Sequence, residues 1–311
     1  MGRIIPAIFV AVVLFASPAT AQIKDPADVC FAGTGKFELD ITFCSLAIQS
    51  KKHQGPSLAT LFTHRGRAKL ELGGLVGAVT DFDAALKHNP ASALAHHERG
   101  RAHHKRGDNK KAIANYDAAL ALNPQYGAAY RNRGTARIHQ GRLAEALADL
   151  DAAVASVNYD PASRILRGIT RYLSGDYAAA IPDLSAALTQ AYPYPEAALW
   201  IYLSERRAGS DGRTDLTANA DAMSEGTWPD ALIEAFLGER SAKSALKAAH
   251  HPRDDIRRRR LTQAHFYLGG LAHLNGDHAN ARKHFEAAIQ IDLFDAIERA
   301  AAKMSLRNLP H

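Results

Sequence analysis

Four histidines, His96, His97, His103 and His104, are the residues best suited by type to hold a metal ion. Their spacing argues against a single site. His97 is followed by Glu98, but the next histidine is His103, so the H-E-x-x-H order of zinc proteases is absent. The pairs His97/His104 and His96/His103 are two helical turns apart, about 10 Å along a helix, too far for one ion without ligands from another element. The remaining reading is a surface that gains positive charge below about pH 6.5. A second set of chemically capable residues is periodic. Arg65, Arg99, Arg133 and Arg167 recur at one constant spacing, and Asp81, Asp149 and Asp183 each follow one of them by the same shorter interval, with Asn115 in the remaining place. Arginine and aspartate recurring on facing elements predict a ladder of half-buried ion pairs, because a lone buried guanidinium is costly. No phosphate-cradling glycine loop, G-x-S-x-G elbow or pair of acid–base carboxylates is found, and the expectation is a protein that is not an enzyme and has no cofactor.

The elements that position these residues are visible as further ladders. Gly66, Gly100, Gly134 and Gly168 repeat at the arginine spacing, as do Gly73, Gly107, Gly141 and Gly175 two helical turns later. Ala78, Ala112, Ala146 and Ala180 make a third ladder, Ala85, Ala119, Ala153 and Ala187 a fourth, and Phe82, Tyr116, Leu150 and Leu184 a large-residue ladder between them. Each period reads as two antiparallel helices. The first glycine and the alanines permit close approach, the second glycine ends the first helix, and the large residue fills the groove. Pro90 and Pro124 fall where second helices stop. The 311 residues carry 47% hydrophobic, 23% charged and only 7% aromatic residues, which suits close-packed helices and excludes wholesale disorder. A net charge of +6 favours acidic partners but falls short of a dedicated nucleic-acid binder.

Residues 1–21 read as a cleavable signal peptide: Arg3, then the apolar run Ile8–Phe15, then Ala19-Thr20-Ala21 before Gln22. The alternative is an uncleaved anchor, although the run is short for a membrane span. No later stretch is apolar enough to cross a membrane. A periplasmic or secreted location follows, and there Cys30 and Cys44 are expected to form a disulfide tying an N-terminal coil to a helix over 37–51. The other reading is a reactive thiol, for which no histidine partner lies nearby in sequence.

These ladders resemble the tetratricopeptide repeat (TPR) consensus, which implies an all-α, right-handed superhelix of antiparallel helix pairs. The expected organisation is a signal peptide at 1–21, an N-terminal coil and helix at 22–56, and four tandem repeats over 57–194. An irregular helical segment at 195–261 precedes a fifth repeat and capping helix at 262–311, the repeat marked by Gly269, Gly276, Ala281, Phe285 and Ala288. Leu199-Trp200-Ile201-Tyr202-Leu203-Ser204-Glu205, Trp228, Phe236-Leu237-Gly238 and Phe266-Tyr267-Leu268-Gly269 are similar to the NlpI-type family of bacterial TPR lipoproteins. That resemblance spans about 57–295. It implies a scaffold or adaptor for periplasmic proteases and peptidoglycan hydrolases, although Gln22 stands where lipidation needs a cysteine and the Cys30/Cys44 head departs from the pattern.

The resemblance also places Arg67, His97, Arg101, His104, Lys105, Arg131 and His139 on a concave groove, where a cationic face would take an acidic peptide or a C-terminal carboxylate. Arg101 and Arg131 are the expected carboxylate partners. The same residues also read as a solvated basic face. Arg257–Arg260, after Asp254-Asp255, read as a solvated helix start or as a contact with anionic envelope material. Two further functions stay open: a structural subunit of an envelope assembly, or a metal-binding protein built on the histidine cluster.

Overall fold

The computed structural model describes residues 25–156, 161–188, 194–221 and 228–310; the signal-peptide reading lies outside them, as do Asn158 and Tyr192, which stand in the third and fourth repeats where Pro90 and Pro124 end the first two, and Pro193. The described residues fold into helices with no strand. Helices α1 (Pro26–Ala32) and α2 (Phe37–Gln49) form an N-terminal hairpin. Four pairs follow: α3 (Gly55–Glu71) with α4 (Leu75–His88), α5 (Ala93–Lys105) with α6 (Asn109–Leu122), α7 (Gly127–His139) with α8 (Leu143–Ser156), and α9 (Pro161–Leu173) with α10 (Tyr177–Leu188). The irregular segment holds α11 (Glu196–Ala208), α12 (Arg213–Asp221), α13 (Asp230–Leu237) and α14 (Ala242–Ala248). The last pair is α15 (Asp254–Leu274) with α16 (His278–Gln290), and α17 (Ile297–Arg307) ends the fold. None of these helices is long and apolar enough to cross a membrane.

The glycine ladders have a steric cause. A Cβ on Gly100 would stand 2.6 Å from the Tyr116 ring, and one on Gly66 2.7 Å from Phe82, so only glycine lets the large residue seat between paired helices. Phe82, Tyr116, Leu150 and Leu184 are fully buried there. After each first helix the chain reverses through a left-handed residue, with φ between 74° and 85° at Gly73, Gly107, Gly141, Gly175 and Gly276, a conformation that glycine alone adopts cheaply. Three second helices start on side-chain caps, where Asp108 accepts from the Lys111 amide, Asp176 from that of Ala179 and Asp277 from that of Asn280, whereas α4 opens at Gly74 without one.

Helices α3, α5, α7, α9, α11 and α15 touch in succession and form the inner layer of the solenoid. One feature differs from the sequence reading. Cys30 lies on helix α1, not in coil, because Asp25 caps a turn that opens with Pro26. It is disulfide-bonded to Cys44 on α2. Helix α15 begins at Asp254, with Asp254 and Asp255 in its first turn and the four arginines after them, as a helix start there requires, and it runs across the expected repeat boundary at 262.

Candidate functional site: the concave face

The inner layer is organised by charge. Arg65 forks onto Asp81 through Nε (2.9 Å) and Nη2 (2.7 Å), Arg133 onto Asp149 (3.0 and 2.6 Å) and Arg167 onto Asp183 (2.7 and 2.6 Å). In the second repeat Arg99 Nε donates to Asn115 Oδ1 at 2.6 Å. The third guanidinium nitrogen reaches back to the preceding repeat: Arg99 to Asp83 (2.6 Å), Arg133 to Asp117 (2.5 Å) and Arg167 to Asp151 (2.9 Å). These three aspartates recur with the same period as the arginines, and they make each arginine a bolt between neighbouring repeats. A second cation braces the buried carboxylate, Lys69 on Asp81 and Arg137 and Arg171 on Asp149 and Asp183, at 2.5–2.7 Å. The matching place in the second repeat is His103, which burial keeps below its ordinary pKa; a neutral imidazole accompanies a neutral Asn115. The arginine ladder is therefore architecture.

The groove residues divide into two groups. Near the N-terminal end, Glu98 is 3% exposed and sits between two guanidinium groups, Arg101 at 2.6 Å and Arg67 at 3.8 Å, with the His97 ring at 3.4 Å. Burial alone would raise its carboxyl, but His97 and Arg101 hold it below the ordinary range. Arg101 also donates to Glu71 at 2.8 Å. The expected carboxylate receptor is thus already forked between two carboxylates of its own chain. Burial is again the largest influence on Arg101, and the two glutamates outweigh it to hold the guanidinium charged. His97 is clamped as well, with Asn132 Nδ2 donating to its Nε2 at 2.9 Å and the Tyr126 hydroxyl 3.2 Å from Nδ1. Arg67 remains exposed beside Glu71, while Lys105 and Arg131 are half-buried. Arg67, Glu71 and His64 border a cavity of about 330 Å³ under the disulfide hairpin, whose rim carries the partly exposed rings of Phe31 and Phe37.

The second group is covered by the chain itself. Helix α17 lies on α7 and α9, where Ile297, Ala300 and Met304 share an apolar cluster with Ile138, Leu166 and Leu173. His104 meets His139 edge-on at 4.9 Å and approaches Asn109 at 2.6 Å. Burial, then His104 and the Lys303 and Arg299 cations of α17, push His139 down to about 3. Phe294 packs 3.3 Å from where a Gly107 Cβ would be. The groove reading is corrected here: Glu71 and Glu98 offset the predicted basic face, and α17 occupies its His104/His139 section. Spacing carried a signal for the glutamates, since Glu98 lies one turn before Arg101 and Glu71 precedes it by one repeat less one turn.

The four clustered histidines do not form a site: among the described residues no three histidine, cysteine or acidic side chains converge on a possible ion. The arginine run is spread around α15: Arg257 and Arg258 pair with Asp254, Arg258 also donates to the Asp292 carbonyl, and Arg260 stacks 5.6 Å over Trp228.

No curated protein sequence matches the chain. Among solved structures, a tetratricopeptide repeat protein from Parabacteroides merdae superposes with a TM-score of 0.55 at 14% identity, covering 90% of this chain and 99% of that one. The C-terminal part of a TPR repeat-containing protein from Cytophaga hutchinsonii gives 0.52 at 16% identity, covering 86% and 94%. Both likenesses concern the fold. The tetratricopeptide repeat profile matches residues 64–125, 100–161 and 239–296, together half of the sequence, and with the observed helix pairs it shows that the chain belongs to the tetratricopeptide repeat family.

Proposed function

We propose that this chain is an exported, non-catalytic scaffold that holds a partner segment on the N-terminal part of its concave face. TPR proteins serve in general as protein-interaction scaffolds, and the observation that supports this location is Arg67. It is the groove cation that stays exposed, with 48% of its side chain accessible, beside a 330 Å³ cavity rimmed by Phe31 and Phe37. An extended segment carrying a carboxylate for Arg67 and an apolar side chain for the cavity fits this place. Export is supported by the pattern of residues 1–21 and by the Cys30–Cys44 bridge, which suits an oxidising compartment. Envelope proteases and peptidoglycan hydrolases are the proposed partners, on the resemblance of 199–205, 228, 236–238 and 266–269 to the NlpI-type family.

Affinity capture from periplasmic extract tests this with parent protein, Arg67→Glu and the off-site control Arg259→Glu. A protease or cell-wall hydrolase is expected on the parent and on Arg259→Glu, with retention reduced about tenfold or more on Arg67→Glu. Equal retention by all three would move the site away from this groove.

A further inference from the structure

Most inner-layer arginines find a carboxylate. Arg207, in the last turn of α11, does not: no ion pair joins it to any acidic side chain among the described residues, and its buried Nε has no hydrogen-bond partner. Its neighbour Arg206 faces the other way and pairs with Asp211 at 3.4 Å. Arg207 borders a cavity of about 260 Å³ between α9, α11, α15 and α17, together with Tyr172, Tyr177, His273, Ser305 and Asn308. The lining is mostly polar and contains no acidic residue. Tyr172 hydrogen-bonds with the guanidinium. His273 lies 3.2 Å from His278, Nδ1 to Nδ1. Asn308, just beyond α17, is exposed and marks the mouth.

This is a cationic recess furnished with donors and lacking a counter-ion. The α11 C-terminus favours a cation at position 207, but that field does not satisfy the guanidinium's hydrogen bonds. Burial, then Arg207 and His278, push His273 down to about 4, as expected where positive groups crowd without an anion between them. A planar fork of N–H groups beside hydroxyls and an amide matches an oxyanion better than any other ligand class.

We propose that this cavity is a binding site for a small oxyanion group, a carboxylate or phosphate that forks onto Arg207 and takes further hydrogen bonds from the tyrosine, serine and asparagine side chains. The site is separate from the N-terminal groove and does not depend on the scaffold reading.

The test titrates the full chain with inorganic phosphate and, separately, with N-acetylglycine, following the His273 imidazole by NMR. A saturable shift of His273, with its pKa rising on saturation and His265 unaffected, is expected. Affinity should fall about tenfold or more in Arg207→Met and persist in Arg206→Met. Tighter phosphate binding would identify a phosphorylated ligand, and tighter N-acetylglycine binding a carboxylate; either supports the site. If Arg207→Met does not fold, the His273 response of the parent decides. No saturable shift with either anion, a shift shared equally by His265, or unchanged binding in a folded Arg207→Met overturns the proposal.

Discussion

The four regular repeats and the C-terminal half hold themselves together by different means. In the first three repeats the buried apolar residues form small separate clusters, such as Leu70, Ala78, Phe82 and Ala102, or Ala112, Ile113, Tyr116 and Ala136. Continuity from one repeat to the next comes from the arginine bolts. From the fourth repeat onward one larger cluster takes in Ile165, Ile169 and Leu184 and extends to Leu309, centred on Trp200, which meets Tyr172, Phe266 and Tyr267 at ring distances of 4.8–5.8 Å. In the last repeat the place of the ladder arginine is taken by Leu268, before Gly269. Local polar bonds make a modular array whose stability is a sum of neighbour terms, whereas a shared core makes a single cooperative block.

The sharpest break of this comparison is Trp200→Ala. Removing a fully buried indole should cost about 4 kcal/mol. The loss should fall on the C-terminal block, so urea denaturation followed by far-UV circular dichroism should change from one transition to two, with the regular repeats melting second. A single transition shifted as a whole would mean that the two regions are one cooperative unit.

Next in size is the ladder. Arg133→Met leaves Asp149, 3% exposed, with only Arg137 as partner, and should cost about 2–3 kcal/mol. The second repeat shows a way to reduce that loss. Asp149→Asn combined with Arg137→His reproduces its Arg99, Asn115 and His103 arrangement and should cost no more than about 1 kcal/mol. Chemical denaturation of both variants compares them directly. Equal losses would mean that the neutral and charged rungs are not equivalent solutions.

How much of this was legible in the sequence follows from the range of each interaction. The glycine, alanine and large-residue ladders report contacts inside one helix pair, and the family profile and helix pairing agree with that reading. The fork of Arg65, Arg133 and Arg167 onto aspartates of their own repeats is equally local. Asp83, Asp117 and Asp151 carried the same periodic signal, but they act on the following repeat and escape a reading made one repeat at a time. The helix at Cys30 was announced by Asp25 and Pro26, a cap and a first-turn proline, in a segment too short to show periodicity. The seating of α17 against α7 and α9 had no local signal. It depends on how far the solenoid curves over the whole intervening chain, and amphipathicity alone predicts a capping helix without saying which surface meets its second face.

That helix also supplies the smallest and most specific test, because its two faces respond oppositely to pH. On the C-terminal side Glu298 is buried with Glu196, both accepting from Gln263 Nε2 at 3.3 and 3.0 Å. Burial raises Glu298 from 4.5 to about 7. The folded state then holds this proton more tightly than the unfolded chain, so its contribution to stability is complete below about pH 4.5 and lost as pH rises through 7. On the repeat side His139 faces His104 of α5 and Lys303 and Arg299 of α17, with Asp295 nearby, and lies depressed from 6.5 to about 3. The unfolded chain here binds the proton more tightly, so its contribution is complete above about pH 6.5 and lost as pH falls toward 3. Between pH 5 and 7 each slope amounts to about 2 kcal/mol, and in the parent they nearly cancel. On going from pH 7 to 5, Glu298→Gln should therefore lose about 2 kcal/mol more stability than the parent, and His139→Gln about 2 kcal/mol less. Urea midpoints at the two pH values measure both. Parallel pH profiles for the two variants would show that α17 does not join the modular and cooperative regions through these contacts.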